Sequence, residues 1–225
     1  MTVTTAAVTA AAPAAGIGSL LLLDIAVALI GYLHLVSGLS PVRRMVSDYV
    51  FTSAGAVLLP LAVLAFAAAL LVLLCGLAAA GLADRRIGVA LVVAALGAVV
   101  VALCRPDDGS ATLLGLCHRA GGGALFGGVP AAGWALSGSP RLRSSPQWRA
   151  LVPVLRLLTA VSGALFAVFL VIDLPGYGVP LPAASVLVDI RGLLERCLLV
   201  PDVVLVGLIA ARLAIRRPAV EGGIR

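Results

Sequence analysis

The sequence predicts an all-α, polytopic membrane protein: a bundle of six transmembrane helices with both termini in the cytoplasm. Hydrophobic residues make up 62% of the 225 residues and charged residues only 12%, whereas a soluble domain has about 45–50% and about 25%. Six apolar windows are long enough to cross a bilayer, and most Arg residues lie between them. This composition excludes a soluble domain, a disordered chain and a nucleic-acid-binding protein.

Each window holds roughly 20 mostly apolar residues, which is the length of a spanning helix. Because the windows fill well over half the chain, we expect a single membrane domain over 17–214. A small, uncharged, disordered tail is predicted over 1–16 and a basic cytoplasmic tail over 215–225. The predicted spans cover 17–38, 56–81, 87–104, 114–137, 151–173 and 192–214.

The predicted orientation rests on the Arg residues, since all 16 basic residues are Arg. Eight of them lie in loops 82–86 and 139–150 and in the C-terminal tail, and four lie on the opposite side. Loops with more basic residues stay in the cytoplasm. We therefore expect a multi-pass protein of the cell membrane whose loops 39–55, 105–113 and 174–191 face outward.

Ionisable residues in a span need an explanation, because one at the helix centre costs at least ~2.5–3.5 kcal/mol. In the sixth span, Arg191, Glu195 and Asp202 share one helical face. Asp202 is placed near the midplane, where Pro201 frees the carbonyl of Cys197. These residues fit a polar pocket. They also fit a structural kink in which Asp202 is protonated or tied to a neighbouring helix.

Two other ionisable residues also allow two interpretations. Asp24 in the first span is a second deep carboxylate, and such a residue often bonds to a neighbouring helix. His118 opens the fourth span at the depth of Glu195 and close to Asp107 and Asp108. It fits a structural hydrogen bond or ion pair with one of these carboxylates, and it equally fits a catalytic base.

Ser47, Asp48 and Tyr49 precede the second span, where Ser or Asp would cap the helix and Tyr would anchor it at the interface. Asp48 also belongs to a larger set, drawn from four separate segments, that maps to the outer leaflet or the outer loops. Charged groups of both signs at one membrane depth predict a polar cavity open to the exterior. The set consists of Asp48, Asp107, Asp108, His118, Arg191 and Glu195.

Several motifs in this order resemble the bacterial integral-membrane family called domain of unknown function 998 (DUF998). They are S-D-Y at 47–49, a Pro-Asp segment at 106–107 followed by G-x-x-H at 115–118, W-R at 148–149 and G-L-x-E-R at 192–196. Relatives often have Phe-Pro where this chain has Arg105–Pro106. The resemblance covers roughly 20–214 and implies a six- or seven-helix fold in a bacterial plasma membrane, without a settled activity. It points to Ser47, Asp48, Tyr49, Asp107, Gly115, His118, Glu195 and Arg196.

The first functional hypothesis is an intramembrane enzyme for an isoprenoid- or lipid-like substrate. Acid/base chemistry, such as a protonation-initiated cyclisation or isomerisation, would use an acid, a base or relay and an Arg anion clamp. Motifs for nucleotides, dinucleotides, serine nucleophiles or zinc do not occur, so we expect no cofactor and no metal. The candidate catalytic residues are Glu195, His118, Asp48 and Asp107, and the candidate substrate-binding residues are Ser47, Tyr49, Arg191, Arg196, Asp202 and Asp24.

Two alternatives stay open. The protein could be a non-enzymatic lipid- or ion-handling carrier or an accessory membrane subunit, with Asp24 and Asp202 as a relay or as contacts between helices. It could also be a scaffold whose outer charges hold helix ends together. In each case the expected partners are membrane lipids or a hydrophobic small molecule and not nucleic acid, and the sequence identifies no protein partner.

Overall fold

The computed structural model of the chain describes residues 5–108, 111–174, 179 and 189–215. These residues form eight α-helices and one short 3₁₀ helix (Ser47–Phe51), so the all-α fold class is confirmed for them. The α-helices are α1 (Thr5–Val36), α2 (Gly55–Ala79), α3 (Arg85–Leu103), α4 (Leu113–Gly138), α5 (Pro140–Ser144), α6 (Pro146–Arg149), α7 (Val152–Asp173) and α8 (Arg191–Ala214).

Five helices in the described ranges, α1, α2, α3, α7 and α8, are long and apolar enough to cross a membrane. The chain is therefore a multi-pass membrane protein. The predicted fourth span forms α4, which has 26 residues but is not among these five candidate spans. The count of six spans, the single domain over 17–214 and the cytoplasmic termini stay predictions. The basic tail beyond residue 215 lies outside the described residues.

The first helix begins earlier than the sequence predicts. Residues 5–16 belong to α1, where we expected a disordered tail. A Cβ atom on Gly16 would lie 2.5 Å from the backbone nitrogen of Ala214, so the start of α1 packs directly on the end of α8. The helix ends close to Gly38, whose φ of +67° is a left-handed conformation typical of helix C-termini.

The six long helices form a closed ring in which each contacts its neighbours. The order around the ring is α1, α2, α3, α4, α7 and α8, and α8 also touches α2 and α4. Small residues allow the closest approaches, as expected for helices that associate without a hydrophobic driving force. A Cβ atom on Gly97 of α3 would lie 2.5 Å from the carbonyl oxygen of Gly121 of α4. This packing brings the first turns of α4 and α8 and the last turn of α7 together.

Candidate functional site

A cavity of about 120 Å³ lies at the end of the bundle where α4 and α8 begin and α7 ends. The orientation predicted from the Arg residues would place this end at the outer face of the membrane. Polar residues from separate segments form one wall: Ser47, Asp48, Asp107, His118, Arg119, Asp173, Arg191 and Glu195. Below them lie Phe126, Phe166, Phe169 and Leu170. The structure thus brings together the predicted outer charges, except Asp108, which is exposed and does not line the cavity.

Glu195 is the most buried acid of this wall, with 6% of its surface exposed. Its Oε2 atom accepts a hydrogen bond of 2.5 Å from the backbone N–H of Val46. Two residues earlier, the N–H of Leu193 donates to the carbonyl of Val42 at 3.0 Å. The loop over 37–46 is therefore bound to the first turns of α8, and it holds the Glu195 carboxyl group in place.

Arg196 and Tyr49 stabilise the same loop. The guanidinium Nη1 lies 2.8 Å from the carbonyl oxygens of Pro41, Arg44 and Gly192, and Nη2 donates to the Tyr49 hydroxyl at 2.7 Å. The guanidinium also lies 5.7 Å from the centre of the Tyr49 ring. Neither residue lines the cavity. Their contacts hold the loop against α8, and their contact with substrate stays a prediction.

Ser47 and Asp48 are buried residues of the cavity wall. The expectation that they cap the second span is wrong, because α2 begins at Gly55 after Ala54. They open the 3₁₀ helix instead, where Asp48 accepts a hydrogen bond of 3.0 Å from the N–H of Met45. Tyr49, expected at the membrane interface, is fully buried in the same short helix.

Asp107 organises the start of α4. Its Oδ1 accepts hydrogen bonds from the backbone N–H and the hydroxyl of Thr112 at 2.8 and 2.7 Å. Its Oδ2 forms an ion pair of 3.1 Å with Arg119. Thr112 in turn caps the helix by accepting from the N–H of Gly115, and a Cβ atom on Gly115 would collide with the Asp107 carboxylate. Asp107 therefore positions Arg119 in the cavity wall.

These contacts predict a pH dependence of stability. The Thr112 hydroxyl, helped by the Thr112 N–H and by Arg119, holds the pKa of Asp107 below its ordinary value, although burial acts in the opposite direction. A lowered pKa stabilises the folded state above the ordinary pKa of about 3.9, and this contribution is lost as the pH falls through the folded pKa. We expect the unfolding temperature of wild type to exceed that of Asp107→Asn at pH 7, and the difference to shrink towards pH 3. A difference that is constant with pH would contradict this assignment.

His118 is held by backbone and not by a carboxylate. Its Nδ1 lies 2.7 Å from the carbonyl oxygen of Cys104. Because a carbonyl can only accept, Nδ1 carries the hydrogen, and Nε2 is the ring atom that can exchange a proton with a ligand. His118 and Pro106 also line a second, mainly apolar cavity of about 140 Å³ between α2 and α3. The His118 imidazole therefore lies between the polar cavity and the apolar cavity.

Ten of the sixteen residues that line the cavity are absent from the predicted site, and five of them bear on its chemistry. Asp173 ends α7 and interacts electrostatically with Arg119 and Arg191. In the sequence, Asp173 and Arg119 are marked by their positions near the ends of predicted spans, Arg119 directly after His118. Phe126, Phe166 and Phe169 form the floor, with the rings of Phe126 and Phe169 in an edge-to-face contact at 6.2 Å. The spacing of apolar residues along a helix does not distinguish phenylalanines that face a cavity from side chains that face the membrane.

The two deep carboxylates lie outside the cavity lining. Asp202 is buried in the bundle, where its Oδ1 accepts a hydrogen bond of 2.5 Å from the Ser162 hydroxyl. It links α8 to α7, which agrees with the structural interpretation of this residue. Asp24 is exposed on the outer face of α1. Their predicted contact with substrate has no support from this geometry.

Comparison with known proteins adds a family to this description. The sequence profile of the DUF998 family, described as a protein of unknown function, matches residues 21–212. No curated protein and no solved structure shows significant similarity to the chain. The match includes the 3₁₀ helix, the Asp107 segment and the start of α8, whose side chains meet at the cavity. The chain belongs to the DUF998 family.

Proposed function

We propose that this protein is an intramembrane enzyme that isomerises or cyclises an isoprenoid- or lipid-like substrate by acid/base chemistry in the outer cavity, within the cell membrane. One observation carries the proposal: a buried carboxyl group and an imidazole stand over a floor of three phenylalanines. A structural salt-bridge cluster needs no such floor. Aromatic faces attract cations, and a protonated alkene is a carbocation.

The proposed reaction balances without a co-reactant. Glu195 donates its proton to a carbon–carbon double bond, which forms a C–H bond and leaves a carbocation above Phe126 and Phe169. The cation rearranges or closes a ring, and a neighbouring carbon then loses a proton to Nε2 of His118. Proton return from His118 to Glu195 through solvent restores the site. The product is an isomer of the substrate.

The geometry of the surrounding surface supports an amphiphilic substrate. Arg119 and Arg191 offer positive charge to an anionic or hydroxyl head group in the polar wall. On the other side, Gly123 belongs both to the cavity and to an open groove between α3 and α4. A Cβ atom on Gly122 or Gly123 would meet nothing within 4 Å. This opening gives a hydrocarbon chain a lateral path from the bilayer.

The experiment measures solvent deuterium in the substrate, since an isomer has the same mass as its precursor. The purified chain is incubated in D₂O with prenols and prenyl phosphates of several chain lengths, and the lipids are analysed by mass spectrometry. We expect wild type to incorporate deuterium into a subset of them. Glu195→Gln keeps the size of the side chain but has no acidic proton, so incorporation falls by about 10²–10⁴-fold.

Arg149→Gln is the matched control, because Arg149 is exposed at the opposite end of the bundle. It should incorporate deuterium at the wild-type rate. Binding of a prenyl lipid by wild type without deuterium incorporation would reject the enzyme and favour the lipid carrier. Equal incorporation by wild type and Glu195→Gln would reject Glu195 as the acid.

A further inference from the structure

Asp24 occupies an unusual place for a charged residue. The candidate span of α1 covers Ala11–Val36, so Asp24 lies about twelve residues, or ~18 Å, from either end of it. Because α1 begins earlier than the predicted span over 17–38, Asp24 lies at the middle of the candidate span. Its side chain is exposed, among Leu21, Ile25 and Val27, which are exposed by 47–59%. In a bilayer this face of α1 meets hydrocarbon.

The exposed face of α1 carries a regular stripe, which we call the α1 seam. Its residues alternate at spacings of three and four over the whole span, and all of them are exposed. This heptad spacing is typical of helices that pair in a left-handed coiled coil. The small residues in it let a second helix approach closely. The α1 seam consists of Ala14, Ile17, Leu21, Asp24, Ala28, Gly31 and Leu35.

The opposite face of α1 is already occupied. Ser19, Leu23, Ala26 and Leu33 are buried, and the helix packs on α2 and α8. Ser19 also donates a hydrogen bond of 3.0 Å to the carbonyl of Ala69 in α2. Near the outer end of α1, His34 Nδ1 lies 2.9 Å from the hydroxyl of buried Tyr49. Ser19 and His34 thus turn towards the bundle, whereas Asp24 lies on the exposed face.

We infer that the α1 seam is the contact between two copies of this chain. Copies in one membrane share the same orientation, so a two-fold axis along the membrane normal places their α1 helices parallel and in register. Ala28 then meets Ala28, Gly31 meets Gly31, and Asp24 meets Asp24. The two Asp24 carboxyl groups then lie within hydrogen-bond reach of each other, at a depth where lipid tails offer neither a donor nor an acceptor.

Cross-linking in membranes tests the geometry. In a chain whose four native cysteines are replaced by alanine, Ala28→Cys places a thiol on the α1 seam. Val27→Cys places one on the adjacent exposed surface, where Val27 is 47% exposed. Oxidation should give a covalent dimer with Ala28→Cys at least about ten times faster than with Val27→Cys, since a disulfide needs Cα atoms about 4.4–6.8 Å apart. Equal rates, or no dimer, would overturn the inference.

The role of Asp24 is tested by the dimer association constant in detergent micelles of fixed composition. Asp24→Leu should lower it about tenfold, the range expected for one interhelical hydrogen bond in a membrane. Asp24→Asn can still form amide–amide hydrogen bonds and should keep most of the dimer. Since the side chain points away from the bundle, neither variant should lower the unfolding temperature. A monomeric wild type, or an unchanged constant for Asp24→Leu, contradicts the proposal.

Discussion

Replacing Arg196 by alanine is expected to destabilise the protein by about 3–5 kcal/mol, the largest effect of any single substitution considered. Hydrogen bonds from a charged group contribute about 1.5–3 kcal/mol each, and this guanidinium bonds to the carbonyls of Pro41 and Arg44 and to the Tyr49 hydroxyl. For a chain of this size the unfolding temperature should fall by ~10 °C. The loss is large because Tyr49 is fully buried and its hydroxyl loses a strong donor.

Limited proteolysis gives a second measurement of the same substitution. Without Arg196, the loop over 37–46 is held by fewer bonds, so trypsin should cleave after Arg43 or Arg44 faster than in wild type. Arg149→Ala is the control, because exposed Arg149 should change stability by no more than about 0.5 kcal/mol. Arg196→Lys cannot reproduce the planar fork of donors and should fall between the two. If Arg196→Ala unfolds at the temperature of Arg149→Ala, the positioning role of Arg196 is wrong.

The second large effect is expected from Gly192→Ala. A Cβ atom at this position would collide with the carbonyl oxygen of Arg44 and lie 2.9 Å from its backbone nitrogen. Since these are backbone atoms, they yield only if the loop moves, and overpacking of this kind costs about 1–3 kcal/mol. The same movement pulls the Val46 N–H away from Glu195. We therefore expect lower stability together with lower deuterium incorporation.

Gly163→Ala is the matched comparison for this prediction. A Cβ atom on Gly163 in α7 meets nothing within 4 Å, so alanine there brings only its better helix propensity, up to about 1 kcal/mol. The two glycine substitutions should consequently shift the unfolding temperature in opposite directions. A stabilising Gly192→Ala would show that the loop does not rest on α8.

The positions of most helices follow from the sequence because a bilayer requires long apolar segments. The observed α2, α3, α7 and α8 agree with the predicted spans within a few residues. The start of α1 was missed, since the Ala- and Thr-rich residues before Gly16 have no apolar periodicity. In the structure these residues are helical, and the helix that they begin packs on α8 through the contact between Gly16 and Ala214. These two residues lie far apart in the sequence.

The candidate site, like the helices, was predicted only in part from the sequence. Membrane depth alone grouped Asp48, Asp107, His118 and Glu195, because charges in a membrane protein gather at the same level. The roles of these residues depend on side-chain contacts, which membrane depth does not predict. His118 bonds to the carbonyl of Cys104 and not to an acid, while Asp107 is bound to Thr112 and Arg119. The phenylalanine floor was not predicted, since apolar side chains in a span carry no signal of the direction they face.

By itself the sequence determined the membrane class and the approximate helices, because these depend on the cost of placing side chains in hydrocarbon. Only the tertiary structure decided which neighbours those residues have. It directs Arg196 to the loop, Glu195 to the cavity and Asp24 to the exposed face of α1. Rotation of a helix about its axis changes all of these contacts without changing depth, and that rotation is set by packing between helices far apart in the chain.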